Sequence, residues 1–191
     1  MWSIYLAGPE VFLPDAHVVG ERKKALCTAY GFEGLFPLDG EMTPDPHGRV
    51  DQAIYRACVD QIRRADIGIC NLTPFRGASA DAGTVFELGL MVGLGKPVFG
   101  YTNVIDDLMA RTAPREALVF DHATQEWRDT SGLLVENFGN ADNLMIDCAL
   151  LTHGGHRIVR HAAADPFRDL AAFETCLRLA ASAARQLSDK G

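Results

Sequence analysis

A doubly wound α/β fold, flavodoxin- or Rossmann-like, with a parallel sheet flanked by helices on both faces, is predicted by two features of the sequence. Short apolar runs alternate with helix-length segments through the first hundred residues, without the two-residue spacing of hairpins. The runs themselves are near-continuous, as strands covered on both faces require. The elements follow in order. Ile4 to Leu6 is a strand closed by the tight turn Ala7-Gly8-Pro9. Asp15 to Tyr30 reads as a helix, Leu35-Phe36-Pro37 as a second strand, and Asp39 to Gly48 as a Pro/Gly/Asp-rich loop. From Val50 to Ala65, Ile54, Cys58, Ile62 and Ala65 recur at helical spacing, which predicts an amphipathic helix. Ile67-Gly-Ile-Cys70 is a third strand, 73–80 a loop, Asp81 to Leu94 a helix and Lys96 to Tyr101 a fourth strand. Beyond Tyr101 the pattern weakens. Asn103 to Arg111 is expected to be helical, Leu118 to Trp127 a small hairpin, and Ala162 to Leu187 a closing helix.

The 191 residues, 48% hydrophobic and 23% charged, suit one core, so a single domain over 1–191 is expected. A net charge of -7 argues against nucleic acid or an anionic membrane as the main partner, because both reward clustered Lys and Arg. Cys27, Cys58, Cys70, Cys148 and Cys176 are scattered without a CxxC pair, which suggests reduced thiols and neither a disulfide framework nor a metal site. No run approaches membrane-spanning length, and Met1-Trp-Ser-Ile-Tyr-Leu enters the first strand without a basic leader. A cytoplasmic location is expected.

The helix at 81–94 carries the chemical signal. Asp81 stands where a helix N-cap belongs, able to accept from the free amides of Gly83 or Thr84, and equally where a doubly wound sheet places its ligand loops. Glu87 lies between Phe86 and Leu88 in a run with no other charge before Lys96. A buried carboxylate is costly unless it is paired or used. Gly83, Gly89 and Gly93 suggest close approach of backbone or ligand, since glycine costs about 1 kcal/mol against alanine inside a helix. A carboxylate on a pocket wall can attack an electrophilic sugar carbon, chemistry that needs no cofactor. Neither GxGxxG nor GxxxxGK[ST] is present to favour a dinucleotide or P-loop site.

Taken together, Ile4-Tyr-Leu-Ala-Gly-Pro-Glu-Val-Phe12, Ala65-Asp66, Asn71-Leu-Thr-Pro-Phe-Arg-Gly77, Asp81-Ala-Gly-Thr-Val-Phe-Glu-Leu-Gly89 and Gly95-Lys-Pro-Val98 resemble the nucleoside 2-deoxyribosyltransferase family over roughly the first 100 residues. The resemblance implies a pentosyltransferase of nucleotide salvage that moves 2-deoxyribose between nucleobases. Glu87 matches the family's nucleophile at C1′, Asp81 the aspartate that holds the sugar hydroxyls, and Tyr5 the tyrosine that orients the glutamate. Gly8 and Phe12 would lie beside sugar and base. The implied partners are a deoxynucleoside and a free nucleobase.

Asp142-Asn-Leu-Met145 resembles the segment that completes a neighbouring subunit's site, so Asn143 would reach across a homodimer or a dimer of dimers. Helix capping by Asp142 or Asn143 is the competing reading. Leu144, Met145, Ile146, Ala149 and Leu150 would supply an apolar interface. The sequence departs from the family at Cys58, where an Asp or Asn commonly stands near the departing base; Asp39, Glu41, Asp51 and Asp60 are alternative acids. The resemblance also implies a preference for free nucleosides, because relatives that bind a 5′-phosphate carry a small hydroxyl residue where this chain has Asp81, and a carboxylate there repels the phosphate. A hydrolase of the same fold and a non-catalytic nucleotide-sensing module are the alternatives.

Overall fold

The computed structural model of the chain describes residues 1–188. Its elements are β1 (Ser3–Ala7), α1 (Ala16–Ala29), β2 (Glu33–Leu35), α2 (Val50–Arg64), β3 (Ile67–Asn71), α3 (Ala82–Gly93), β4 (Val98–Thr102) and α4 (Leu108–Thr112). The short strands β5 (Val119–Asp121), β6 (Glu126–Arg128) and β7 (Leu134–Val135) follow, then α5 (Leu144–Gly154), β8 (Val159–Arg160) and α6 (Ala171–Ser188). The main sheet has the order β2-β1-β3-β4-β8, with every neighbouring pair parallel. The fold is therefore the doubly wound α/β class that the sequence predicts. Chain direction across the sheet reverses between β1 and β3, and in such sheets the crevice beyond the strands' carboxyl ends at that point is the binding position.

Strand alternation divides the core in two. Ile4, Leu6, Ile67, Ile69, Phe99 and Tyr101 meet Cys27 of α1 and Phe173, Cys176 and Leu177 of α6 on one face. Tyr5, Ala7, Cys70 and Leu72 meet Ile62 of α2, Leu88 and Met91 of α3, and Ile146 and Leu150 of α5 on the other.

Several sequence expectations are corrected. On α2 the seam is Ala53, Ala57 and Ile62, whereas Ile54 is exposed with Val50 and Tyr55. The helix is apolar on two sides, and periodicity does not say which is covered. Pro37 opens a 3-10 turn instead of ending β2. The helix expected from Asn103 shrinks to Leu108–Thr112, and the closing helix begins at Ala171, since Pro166 lacks the amide that a helix interior needs. The hairpin over 118–127 gains a third strand, β7, on β6. On α5, Ile146 and Leu150 turn into this chain's own core while Met145, Cys148 and Leu151 are exposed, so the apolar interface expected there is narrower than the sequence suggests.

Candidate active site

The switch point gathers side chains from β1, α2 and α3. Tyr5 is fully buried on the α2/α3 side of β1, and its hydroxyl donates to Glu87 Oε1 at 2.6 Å. Glu87 is half-buried in the second turn of α3. The Cys58 thiol of α2 lies against the same hydroxyl.

Charge in this corner is uncompensated. Among the described residues, Glu87 receives its one hydrogen bond from Tyr5 and forms no ion pair. Burial pushes its carboxyl up to about 7 from 4.5; the Tyr5 hydrogen bond opposes that rise and the Asp81 charge adds to it. Burial and the Glu87 charge likewise push Tyr5 far above the ordinary phenol range. Cys58 moves up for the same two reasons, so it stays a protonated thiol at neutral pH.

Asp81 caps α3: its Oδ2 accepts from Thr84 N at 2.9 Å and from the Thr84 hydroxyl at 3.1 Å. Among the described residues Oδ1 has no hydrogen-bond partner, so capping leaves half of the carboxylate for a ligand. Gly8 is buried in the turn after β1, where a Cβ would overlap the Glu10 carboxylate and sit 2.9 Å from Asn71 Cβ. Close approach explains that glycine. It does not explain Gly89 and Gly93, whose surroundings within this chain are open.

Phe12 is 56% exposed and stacks on Phe75 at 5.2 Å, with the Arg76 guanidinium over both rings and Phe167 edge-on to Phe75. Sequence reading singled out Phe12 alone; its partners come from loops distant in sequence. Asn143 caps α5, accepting from Met145 N at 3.0 Å and donating to Glu136 at 2.6 Å. The capping reading of this residue is therefore observed, and it leaves one amide N–H of Asn143 uncommitted. The proposed acids lie elsewhere: Asp39, Glu41 and Asp60 line a separate 470 Å³ groove with Lys24 and Arg64, and exposed Asp51 pairs with Arg49. No group of three or more His, Cys, Asp or Glu that could hold a metal occurs among the described residues. No described helix is long and apolar enough to cross a membrane.

A parallel doubly wound sheet with a tyrosine-held carboxylate at its switch point defines an α/β protein of the doubly wound class. The sequence profile of the nucleoside 2-deoxyribosyltransferase family matches residues 4–145, and the chain belongs to that family. An uncharacterised protein of Schizosaccharomyces pombe is 32% identical over 196 residues, covering 88% of each chain. The structure of a 2-deoxyribosyltransferase from Leishmania mexicana is similar at 28% identity and a TM-score of 0.63, covering 93% of this chain and 98% of the other. A conserved protein of Enterococcus faecalis, 21% identical with a TM-score of 0.52 over 93% of this chain and 99% of that one, shares the fold.

Proposed function

We propose that the protein transfers 2-deoxyribose between nucleobases through a glycosyl ester on Glu87. A Glu87 oxygen forms a bond to C1′ as the N-glycosidic bond breaks, and the departing base keeps the electron pair and takes up a proton. A second base then attacks C1′, displaces the carboxylate and loses its proton. The observation that carries this reading is the half-buried Glu87, held among the described residues by Tyr5 alone at the switch point. Such a carboxylate is costly to keep as structure and suited to nucleophilic use.

Tyr5 aims one oxygen of Glu87 and stabilises the ion, leaving the other oxygen to attack. Asp81 Oδ1 holds the sugar hydroxyls, and its charge disfavours 5′-monophosphates. The turn at Gly8 lies beside the sugar, and the Phe12–Phe75 pair offers the base an aromatic surface. Asn143 completes the site of a second copy with its remaining N–H. Support for that assembly comes from α3, where Ala82, Phe86, Gly89 and Gly93 form an exposed face with Tyr55 beside Phe86 at 6.2 Å. A helix of a second copy approaching there would give the two open glycines a purpose, since small residues permit close packing. Chromatography of a deoxynucleoside with a second free base tests the reaction. A new nucleoside is expected; free base with deoxyribose would instead make the protein a hydrolase, and an unchanged mixture a binding module.

A further inference from the structure

One buried carboxylate outside the reacting groups joins the two segments that the proposed site needs. Asp142 is 1% exposed and lies between β7 and α5. Its Oδ1 accepts from the Ser79 hydroxyl and from Asn143 N at 2.8 Å. Its Oδ2 accepts from Ala80 N at 2.9 Å and lies 3.5 Å from Arg111 Nη2. The residue after Ala80 is Asp81, the cap of α3, and the residue after Asp142 is Asn143, the cap of α5.

Arg111 of α4 closes the same junction from outside. Its Nε donates to Ala78 O at 2.7 Å and its Nη2 to Ala141 O at 2.6 Å, one carbonyl on each segment. On the α5 side Glu136 holds the Asn143 amide at 2.6 Å and Leu144 N at 2.8 Å. Three of the donors facing Asp142, the Ser79 hydroxyl, Ala80 N and Asn143 N, thus belong to residues at the entrances of α3 and α5, and the fourth is the Arg111 guanidinium. Removing one partner of a buried, hydrogen-bonded charge leaves the others unpaired, so the junction holds as a unit.

We propose that Asp142 is a positioning residue that locks the entrances of α3 and α5 together, so that one carboxylate sets both the Asp81 of a site and the Asn143 offered to a second copy. The consequence is that placement of the sugar hydroxyls and completion of the neighbouring site respond to the same contact. The kinetic part of this inference rests on the proposed transferase reading; the structural coupling does not.

The test is Asp142→Asn, which keeps the shape but turns two N–H bonds toward Ala80 N and Arg111, with Ser79→Ala as a milder variant that removes a single contact. Hydrogen exchange reads the coupling without any catalysis. Asp142→Asn should speed exchange about tenfold both at Ala80 and Thr84 and at Asn143 to Met145, and Ser79→Ala should do so less at both. Acceleration confined to one segment, or absent from both, would overturn the proposal. In base exchange, Asp142→Asn should raise KM for the deoxynucleoside about tenfold, with a smaller fall in kcat. Combined with Asp81→Ala and Asn143→Ala together, it should add almost nothing to the loss of kcat/KM from that double variant, because it acts through those two residues. Losses that multiply would show a merely structural role and refute it. A wild-type protein that exchanges no base but shows the paired hydrogen-exchange response would sink the transferase reading and uphold the junction.

Discussion

On the α1/α6 face of the sheet Glu10 meets Tyr101; on the α2/α3/α5 face Glu87 meets Tyr5. Both carboxylates accept from a strand tyrosine, at 3.0 Å and 2.6 Å. Glu10 is fully buried, and its Oε1 also takes the Lys23 ammonium at 2.6 Å and the Asn71 amide at 2.9 Å. The Lys23 charge lies 5.6 Å and 5.1 Å from the Tyr101 and Phe173 ring centres. Glu87 has neither cation nor amide among the described residues. One pair is a neutralised core element that pins the turn after β1; the other keeps a carboxylate that burial pushes up to about 7. The presence of a counter-ion, rather than burial, separates the neutralised carboxylate from the one proposed to react.

Breaking the Glu87 side should give the largest effect on activity. Glu87→Ala is expected to lower kcat/KM by on the order of 10³-fold or more while leaving a folded protein, because the proposed nucleophile is gone. Circular dichroism alongside steady-state kinetics checks this, and turnover within tenfold of wild type would make Glu87 structural. Lys23→Met breaks the other side and strands Glu10 without its cation. Such a loss costs about 3–5 kcal/mol, so a strongly lowered urea midpoint is expected.

Exchanging the tyrosines sharpens the contrast. Tyr5→Phe removes the bond that holds Glu87 down, so the acid limb of kcat/KM should move to higher pH and activity should fall about tenfold at neutral pH. Tyr101→Phe should cost about 1 kcal/mol of stability and leave that limb where it is. A pH profile that responds equally to both would erase the distinction.

The smallest effect is on stability against pH. The folded pKa of Glu87, about 7, lies above its unfolded value of 4.5, so the unfolded chain loses its proton first as pH rises. Stability from this group is therefore present below 4.5 and falls between 4.5 and 7. Glu87→Gln should melt higher than wild type at pH 8, by roughly 2–4 °C, with the gap closing near pH 4. A gap that widens toward acid would contradict the raised pKa.

Strand runs, helix spacing and the Asp81-to-Glu87 motif lie in contiguous residues, and contiguous residues are what a sequence displays. They were enough for the parallel α/β class, the succession of β1 to β4 along the chain and the family. The fifth strand of the main sheet was not legible, because Val159–Arg160 is two residues long and has no local pattern. Nor was the buried side of α2, whose two apolar faces are equivalent until a sheet and α3 cover one. Tyr5 and Glu87 stand 82 positions apart, and Asp142 and Ser79 63 apart, so only the crossovers through β2 and β4 bring each pair together. Sequence by itself determined which groups carry charge and where helices can start. Tertiary structure decided which carboxylate meets a cation and which does not, since desolvation and pairing depend on neighbours that the chain supplies only after it has folded.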